Sequence, residues 1–456
     1  MPTRPSPVTL TNTSVDVINA IRNSASQNYR DYVPYATPDA ESIRSIGAII
    51  MDYPALQNEF LSALINRIGK VLLSSKMYSN PWEMFKKGML EFGESIEDIF
   101  VDLAKPFRYD AAVAETEVFK REIPDVHSAF YIMNYQEFYK VTIQQEQLRQ
   151  AFLSWAGITD LITKIVDSMY SAANYDEFQV MKYMIARSLY NGGLKNVTVA
   201  TLNINNVKAI VTTIKSTSNY MEFMTRDYNR AGVANFASKK SQYLISSSKF
   251  DAMMDVEVLA AAFNMDKAEF MGHKVLVDSF GKLDMERLDL LFEGDPSYVH
   301  FTDEQLAELD KVDAILVDED WFMIYDNLQN FTENYNGQGM YWNYFYHVWK
   351  TSATSPFANG CVFSSVTSSV TRVDLQPATV NATAGSTVQL SATLEKTGFS
   401  NSVVLYTVVS GPDGVTVDSR GLVTIPSTVS AGDEIVIRAT ASGTTTGDNC
   451  TITIVE

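Results

Sequence analysis

The chain has 456 residues, of which 46% are hydrophobic and 20% charged, and a formal net charge of −18. That length exceeds one ordinary core and calls for two or three domains, while the apolar share excludes a largely disordered chain. The acidic balance weighs against a dedicated nucleic-acid binder, which carries a basic field; it suits a protein that lies near a polyanion without sticking to it.

In chain order, the start MPTRPSPVTLTNTSVDVINAIRNS holds no apolar core of the signal-peptide kind. No later window approaches the roughly 18 apolar residues of a membrane-crossing helix. Folding in a cytoplasm is the expectation. Residues 54–75 place Leu56, Phe60, Leu64, Ile68 and Leu72 four apart, the stripe of an amphipathic helix, and Pro54 is tolerated in a first turn, where its missing donor would be unpaired anyway. Residues 76–125 carry turn residues and short alternating runs, which predicts an extended hairpin projecting from a body. Such a hairpin is marginal alone in water and needs a surface to lie on. A long helical region follows at 144–191, through Leu148, Phe152, Trp155, Ile162, Ile165 and Met169, stopping at Asn191-Gly192-Gly193. A further helix is expected at 254–264.

The apolar runs 312–317 and 321–326 flank Asp318-Glu319-Asp320 and read as adjacent strands of one buried sheet. The run MYWNYFYHVWK (340–350) reads as a third. In a strand, Trp342, Tyr344, Tyr346 and Val348 share one face, and Tyr341, Asn343, Phe345, His347 and Trp349 the other. Both faces are mostly apolar, as in a strand covered on both sides, whereas a sugar platform needs its rings on one open face. Trp342, Tyr344 and Tyr346 are therefore assigned to a core strand, and His347 to a hydrogen-bonded structural role. Past residue 365 every tryptophan and histidine is gone, and FSSVTSSVTR (363–372) has the small polar composition of a linker.

Reactive constellations are scarce. GMLEFGES (88–95) spaces Gly88 and Gly93 as a phosphate loop does, but Glu94 stands where the lysine belongs. Lys86-Lys87-Gly88 is better read as a hairpin tip or a contact with an acidic neighbour. Asp318-Glu319-Asp320 lacks the register of a calcium loop and reads as a solvated turn. Cys361 and Cys450, 89 positions apart, form no metal-type cluster; a disulfide between them stays open, and two free thiols in a reducing cytoplasm is the plainer reading. No metallopeptidase, nucleophile-elbow or paired C-x-x-C motif occurs in the sequence. No catalytic, cofactor or metal site is assigned, and the chain is read as a non-enzyme.

Two resemblances carry the functional reading. Residues 370–456 run VTRVDLQPATVNATAGSTVQLSATL, VVLYTVVSGPDGVTVDSRGLVTIP, AGDEIVIRATASG and CTITIV. Short alternating strands at this spacing predict a β-sandwich, and the order of Pro377, Gly385, VTVDSRGLV and RATAS resembles bacterial Ig-like domains of group 2. Before it, SVDVINAIRNS, NYRDYVP, FKKGMLEFGESIEDIF, FKREIPDVH, LAAAFNMDKAEFMG, LVDEDWFMIYDNL and GMYWNYFYHVWKTSATSPFANG occur in an order that resembles the major capsid protein of small short-tailed phages with protein-primed genomes, podoviruses of the Salasmaviridae kind. The acidic segment 283–310 is longer than the likeness leads one to expect.

The resemblance implies an α+β chain with a Hong Kong 97-type capsid fold spanning 1–365, then an Ig-like sandwich at 366–456. Within the first part it implies an N-terminal arm at 1–50, an E-loop at 76–125 with Lys86, Lys87 and Gly88 as its inter-subunit contact, a spine helix at 144–191, an axial domain at 195–310 and peripheral strands at 312–362. It implies a virion protein, assembled in the bacterial cytoplasm, whose partners are itself in hexamers and pentamers, scaffolding and portal proteins, and packaged double-stranded DNA without specific binding. The Ig-like unit would decorate the outside, either reinforcing the shell or making weak contact with host glycans, with no membrane contact. A chain ending near Ser365 should still assemble, and Lys86→Glu with Lys87→Glu should spare the fold while impairing shells. The competing readings are a surface adhesin or another virion protein that binds carbohydrate through the Ig-like unit.

Overall fold

The computed structural model describes residues 14–68, 78–90, 95–104, 106, 126–152, 157–255, 273–400, 403–418, 420–441 and 444–455. The described chain begins with three helices, α1 (Ser14–Ser24), α2 (Gln27–Tyr32) and α3 (Ala40–Asp52). The resemblance implies an arm over residues 1–50. Within it Ile18, Ile21, Ile43, Ile46 and Ile50 recur at helical spacing and are buried in the main core. Asp39 caps α3 by accepting from the Ser42 N–H at 2.6 Å. α4 (Pro54–Ile68) follows with Leu56 and Phe60 inward.

Two sheets build the rest of the body. The first has the order β1–β9–β10–β4, from β1 (Lys86–Met89), β4 (Tyr135–Gln144), β9 (Phe322–Asn336) and β10 (Tyr341–Thr354). Strands β9 and β10 form a long antiparallel hairpin, and β1 lies parallel to β9. The second has the order β5–β11–β8–β6–β7, from β5 (Lys195–Thr198), β6 (Gln242–Ser247), β7 (Lys274–Val277), β8 (Val312–Asp318) and β11 (Gly360–Ser364). The runs at 312–317 and 321–326 therefore belong to different sheets. The turn at Asp318–Asp320 takes the chain from one to the other, a step that local hydrophobicity cannot reveal.

Between the sheets lies the long helix. α5 (Gln145–Ala151) leads to α6 (Gly157–Tyr190), whose described core side chains include Met169, Phe178, Met181, Ile185 and Leu189. The alternation of β8 and β11 shows that the second sheet is covered on both faces. Ile315, Val317 and Val362 join the α6 side; Ala314, Leu316, Cys361 and Phe363 face α7 (Val207–Tyr220) and α8 (Ser248–Met254). α9 (Met285–Leu291) and α10 (Asp303–Leu309) lie on the α6 side, burying Leu288, Phe301 and Leu309. The helix expected at 254–264 lies outside the described residues beyond Asp255.

The C-terminal unit is all β, with a separate core. Its sheets have the orders β12–β15, β13–β20–β19–β16 and β14–β18–β17. The strands are β12 (Ser369–Gln376), β13 (Thr379–Thr383), β14 (Thr387–Gln389), β15 (Ser391–Thr397), β16 (Val404–Ser410), β17 (Thr416–Val417), β18 (Leu422–Thr424), β19 (Glu434–Ala441) and β20 (Gly447–Val455). Leu375, Leu390, Ile425, Ile435, Ile437, Cys450 and Ile452 fill it. The turn at Gly421 requires glycine: φ is +82°, and a Cβ there would lie 2.7 Å from the Leu390 carbonyl. The expected linker at 363–372 is mostly strand, since Phe363 and Ser364 close β11 and β12 opens at Ser369. Serine and threonine suit a strand edge as well as a loop, so composition misled there.

The unit does not swing free on those four intervening residues. Phe399 is fully buried in the body's core, its ring 5.3 Å from that of Tyr190 at the end of α6. Asn196 on β5 donates to the Val366 carbonyl and to Ser368 Oγ at 3.1 and 2.8 Å. Both cysteines are free and buried, Cys361 in the second sheet and Cys450 in the C-terminal core.

Candidate assembly surfaces

Strand β10 is the centre of the first sheet. Trp342, Tyr344, Tyr346 and Val348 are buried against the helix side. The Tyr346 ring stacks 4.5 Å from Phe331 and lies 4.8 Å from Tyr170 of α6; Trp342 lies 4.6 Å from Tyr335. The opposite face differs from expectation. Phe345 packs on Phe138 at 5.7 Å, but Phe138 is exposed and the row from Tyr341 to Trp349 is half-buried. One face is therefore core and the other is an open aromatic surface. His347 bonds Thr332 Oγ1 at 3.1 Å across the hairpin.

α6 crosses this sheet with charges inside it. Asp176, Glu177 and Lys182 are all buried, and a buried charge is tolerated only when paired. Asp176 pairs with Arg287 of α9, whose Nη2 donates at 3.0 Å, and accepts from the Tyr139 hydroxyl at 2.7 Å. Lys182 donates to Asp278 at 2.7 Å and to the Lys282 carbonyl. Glu177 accepts from Asn80 and meets two ammonium groups, Lys86 at 3.3 Å and Lys350 of β10. Asp326 of β9 completes the cluster, 2.6 Å from Lys86 and 3.7 Å from Lys350. Burial, with the Lys86 ammonium beside it, pushes the Lys350 ammonium down to about 7, and nearby carboxylates oppose that shift.

This cluster relocates the three residues assigned to the hairpin tip. Lys86, Lys87 and Gly88 sit at the base, in β1, beside β9. Lys87 donates to Asp320 at 2.6 Å and to the Glu319 carbonyl at 2.9 Å. Gly88, at φ +121° with open space where a Cβ would be, absorbs the register shift between β1 and β9. Reversing Lys86 would face a third carboxylate toward Glu177 and Asp326, so the double reversal cannot spare the fold as expected. The sequence shows two adjacent lysines; their acids lie more than 90 positions downstream, beyond any local pattern.

Within the segment read as a hairpin, β2 (Ile96–Val101) pairs antiparallel with β3 (Val126–Tyr131), which begins just past it; 107–125 lie outside the described residues. On its inner face Phe100 stacks 5.7 Å from Phe357, and Asp98 accepts from Ser355 Oγ at 2.9 Å. On its outer face Ile99, Val101, Val126 and Phe130 are exposed. An apolar patch on a two-stranded ribbon marks a contact surface.

A half-open cavity of about 300 Å³ between α6 and the α9–α10 connection is lined by Tyr135, Tyr183, Arg187, Phe292 and Tyr298, with Asp295 its only acid. Glycoside hydrolysis needs a carboxyl pair. Among the described residues no cluster of histidine, cysteine or acids could hold a metal, and no helix is long and apolar enough to cross a membrane.

Comparison with known proteins agrees with a reading built on interfaces. Residues 18–364 match the family model described as phi29-like phage major capsid protein, and the match ends where β11 ends. The major capsid protein of Bacillus phage B103 is 36% identical over 436 residues, 94% of this chain and 90% of that protein. That of Bacillus phage PZA is 32% identical over 432 residues, with the same coverage of each. A chain from the capsid structure of Staphylococcus phage Andhra superposes with a TM-score of 0.51 at 14% identity, covering 65% of this chain and 87% of that one. The fold is thus mixed α+β with Hong Kong 97-like capsid structures among its neighbours. The chain belongs to the phi29-like phage major capsid protein family, and it is a structural component of the virion.

Proposed function

We propose that this capsid protein closes into hexameric and pentameric rings of a head that encloses double-stranded DNA, with the β2–β3 ribbon serving as an E-loop laid over an adjacent subunit. The observation that carries this is the ribbon's outer row of Ile99, Val101, Val126 and Phe130, exposed in the single chain. Closed rings need such heterologous contacts, each copy presenting one surface and receiving another. Scaffolding and portal proteins enter as partners through the family resemblance.

The C-terminal unit is read as an outward bacterial Ig-like decoration. Its separate aliphatic core and its position after the family match support that reading. The net charge of −18 supports an interior that holds DNA without specific binding. Electron cryomicroscopy of particles from cells producing the phage tests all three points. The expected image has six- and five-membered rings, the ribbon crossing a neighbour and a knob at every outer subunit surface. Ribbons folded back on their own subunit, or C-terminal units on the DNA side, would overturn the assignment.

A further inference from the structure

Charge divides the second sheet of the body. On the α7 face, residues 205–241 carry six basic and two acidic side chains, an island of positive charge in a chain of net −18. Lys208, Lys215 and Lys240 are exposed there. So are four large apolar side chains, Tyr220, Phe223, Met224 and Phe236, Phe223 being 70% exposed. On the α6 face, residues 283–310 carry nine acids and one arginine. Glu286, Glu293, Asp303 and Glu304 are exposed, and Leu290 stands 74% exposed among them.

The alternation of β8 puts these two surfaces on opposite sides of one sheet, since Ala314 and Leu316 point to α7 while Ile315 and Val317 point to α6. A chain cannot bring its own two faces together. A second copy can, and repeating that contact is head to tail, the arrangement that closes a ring when the rotation permits. We infer that the acidic α9–α10 face of one copy docks on the basic, aromatic-studded α7 face of the next, with Leu290 set against the Phe223–Phe236 patch. This rests on the ring reading above. Phosphate backbones could also meet the lysines, but exposed phenylalanine and methionine side chains on a structured face fit a protein partner better than packed duplex.

Two triple variants test the inference: K208E/K215E/K240E on one face and E286K/E293K/D303K on the other, each produced in cells making the phage and checked for an unchanged melting curve. Each alone should lower the yield of shells by about tenfold or more, because like charges then oppose each other across every contact. Both sets in one chain restore complementarity with the signs exchanged, and the yield should return to within about twofold of the unsubstituted chain. Carbodiimide cross-linking of unsubstituted shells should join the three lysines to the three acids between copies. Folded triple variants with normal yield would overturn the inference, as would failure of the combined variant. Normal shells that hold less DNA would assign the basic face to the nucleic acid instead. If the unsubstituted particles contain no rings, the ring reading itself has failed, a result distinct from all of these.

Discussion

Strand β10 fills its buried face with Trp342, Tyr344 and Tyr346, whereas β19 in the C-terminal unit fills its own with Ile435, Ile437 and Ala439. The body must bridge a sheet to a long helix, and large rings span that gap. The C-terminal unit draws its core from the strands of three small sheets, and small aliphatic side chains fill it. The body also buries Asp176, Glu177, Lys182 and Lys350, while no charged residue is buried among the described residues of the C-terminal unit. Aliphatic packing holds such a core together with few constraints on partners. Paired buried charges demand particular partners and so specify how helix, hairpin base and sheet meet.

The two regions carry separate reporters. All five tryptophans lie in the body, and each region has one buried free thiol, Cys361 or Cys450. Tryptophan emission during urea unfolding and the alkylation rate of each thiol therefore read the regions independently. The largest effect is expected from Trp342→Ala, which should cost the body on the order of 3–5 kcal/mol and speed alkylation of Cys361 but not of Cys450. Equal acceleration of both thiols would mean that the regions open as one. A body loss below about 1 kcal/mol would remove Trp342 from the core.

Glu177→Gln comes next, at about 3–4 kcal/mol, because it leaves Lys86 and Lys350 to share Asp326. Adding Lys350→Met should recover part of that loss in the same urea titration; a purely additive double variant would mean that the pair does not act as a unit. Phe399→Ala should cost about 3 kcal/mol of docking and packing, and its signature is separation. Calorimetry should resolve two transitions where the parent shows closer coupling. An unchanged thermogram would mean that Phe399 does not join the regions. The same contact qualifies the expectation that a chain ending at Ser365 assembles, since that truncation uncovers the Tyr190 side of the core.

Asp313 sharpens the contrast through pH. It is buried in β8 with one carboxyl oxygen lacking a hydrogen-bond partner, and burial pushes its carboxyl up to about 7, with Lys249 opposing. Its pKa in the folded chain lies above its ordinary value of 3.8, so the folded state keeps a proton that the unfolded state releases. The body therefore loses stability as pH rises from about 4 through 7. Asp313→Asn should flatten that decline and raise stability at pH 8 by about 1–3 kcal/mol, with no change in Cys450 alkylation. A parallel pH curve for parent and variant would discount the group. The smallest effect is expected from Arg372→Ala, whose exposed pairs with Asp374 and Glu395 should be worth below about 0.5 kcal/mol in thermal unfolding.

Much of the architecture was legible because it is written in periods. The four-residue stripe of α4, the length of α6 and the two-residue alternation of Trp342, Tyr344 and Tyr346 are local signals. The Asp176–Glu177 and Lys182 charges lie inside an apolar stretch of α6, and three charges flanked by Phe178, Val180 and Met181 are a sequence signal of buried pairing. The base of the ribbon was not legible, since Lys86 finds Glu177 and Asp326 only after two distant elements have folded beside it.

By itself, the sequence determined the class of the protein: the ordered likeness to phage capsid proteins, the helices and strands, the change of composition near residue 365 and the acidic balance. Each of these is a property of neighbouring residues or of totals. Tertiary structure alone decided that the runs on either side of Asp318–Asp320 enter different sheets, that one face of β10 stays open, that Phe399 crosses into the body, and that basic and acidic segments fall on opposite faces of one sheet. Those outcomes depend on contacts between residues tens to hundreds of positions apart, and local periodicity carries no information about which distant surface a face will meet.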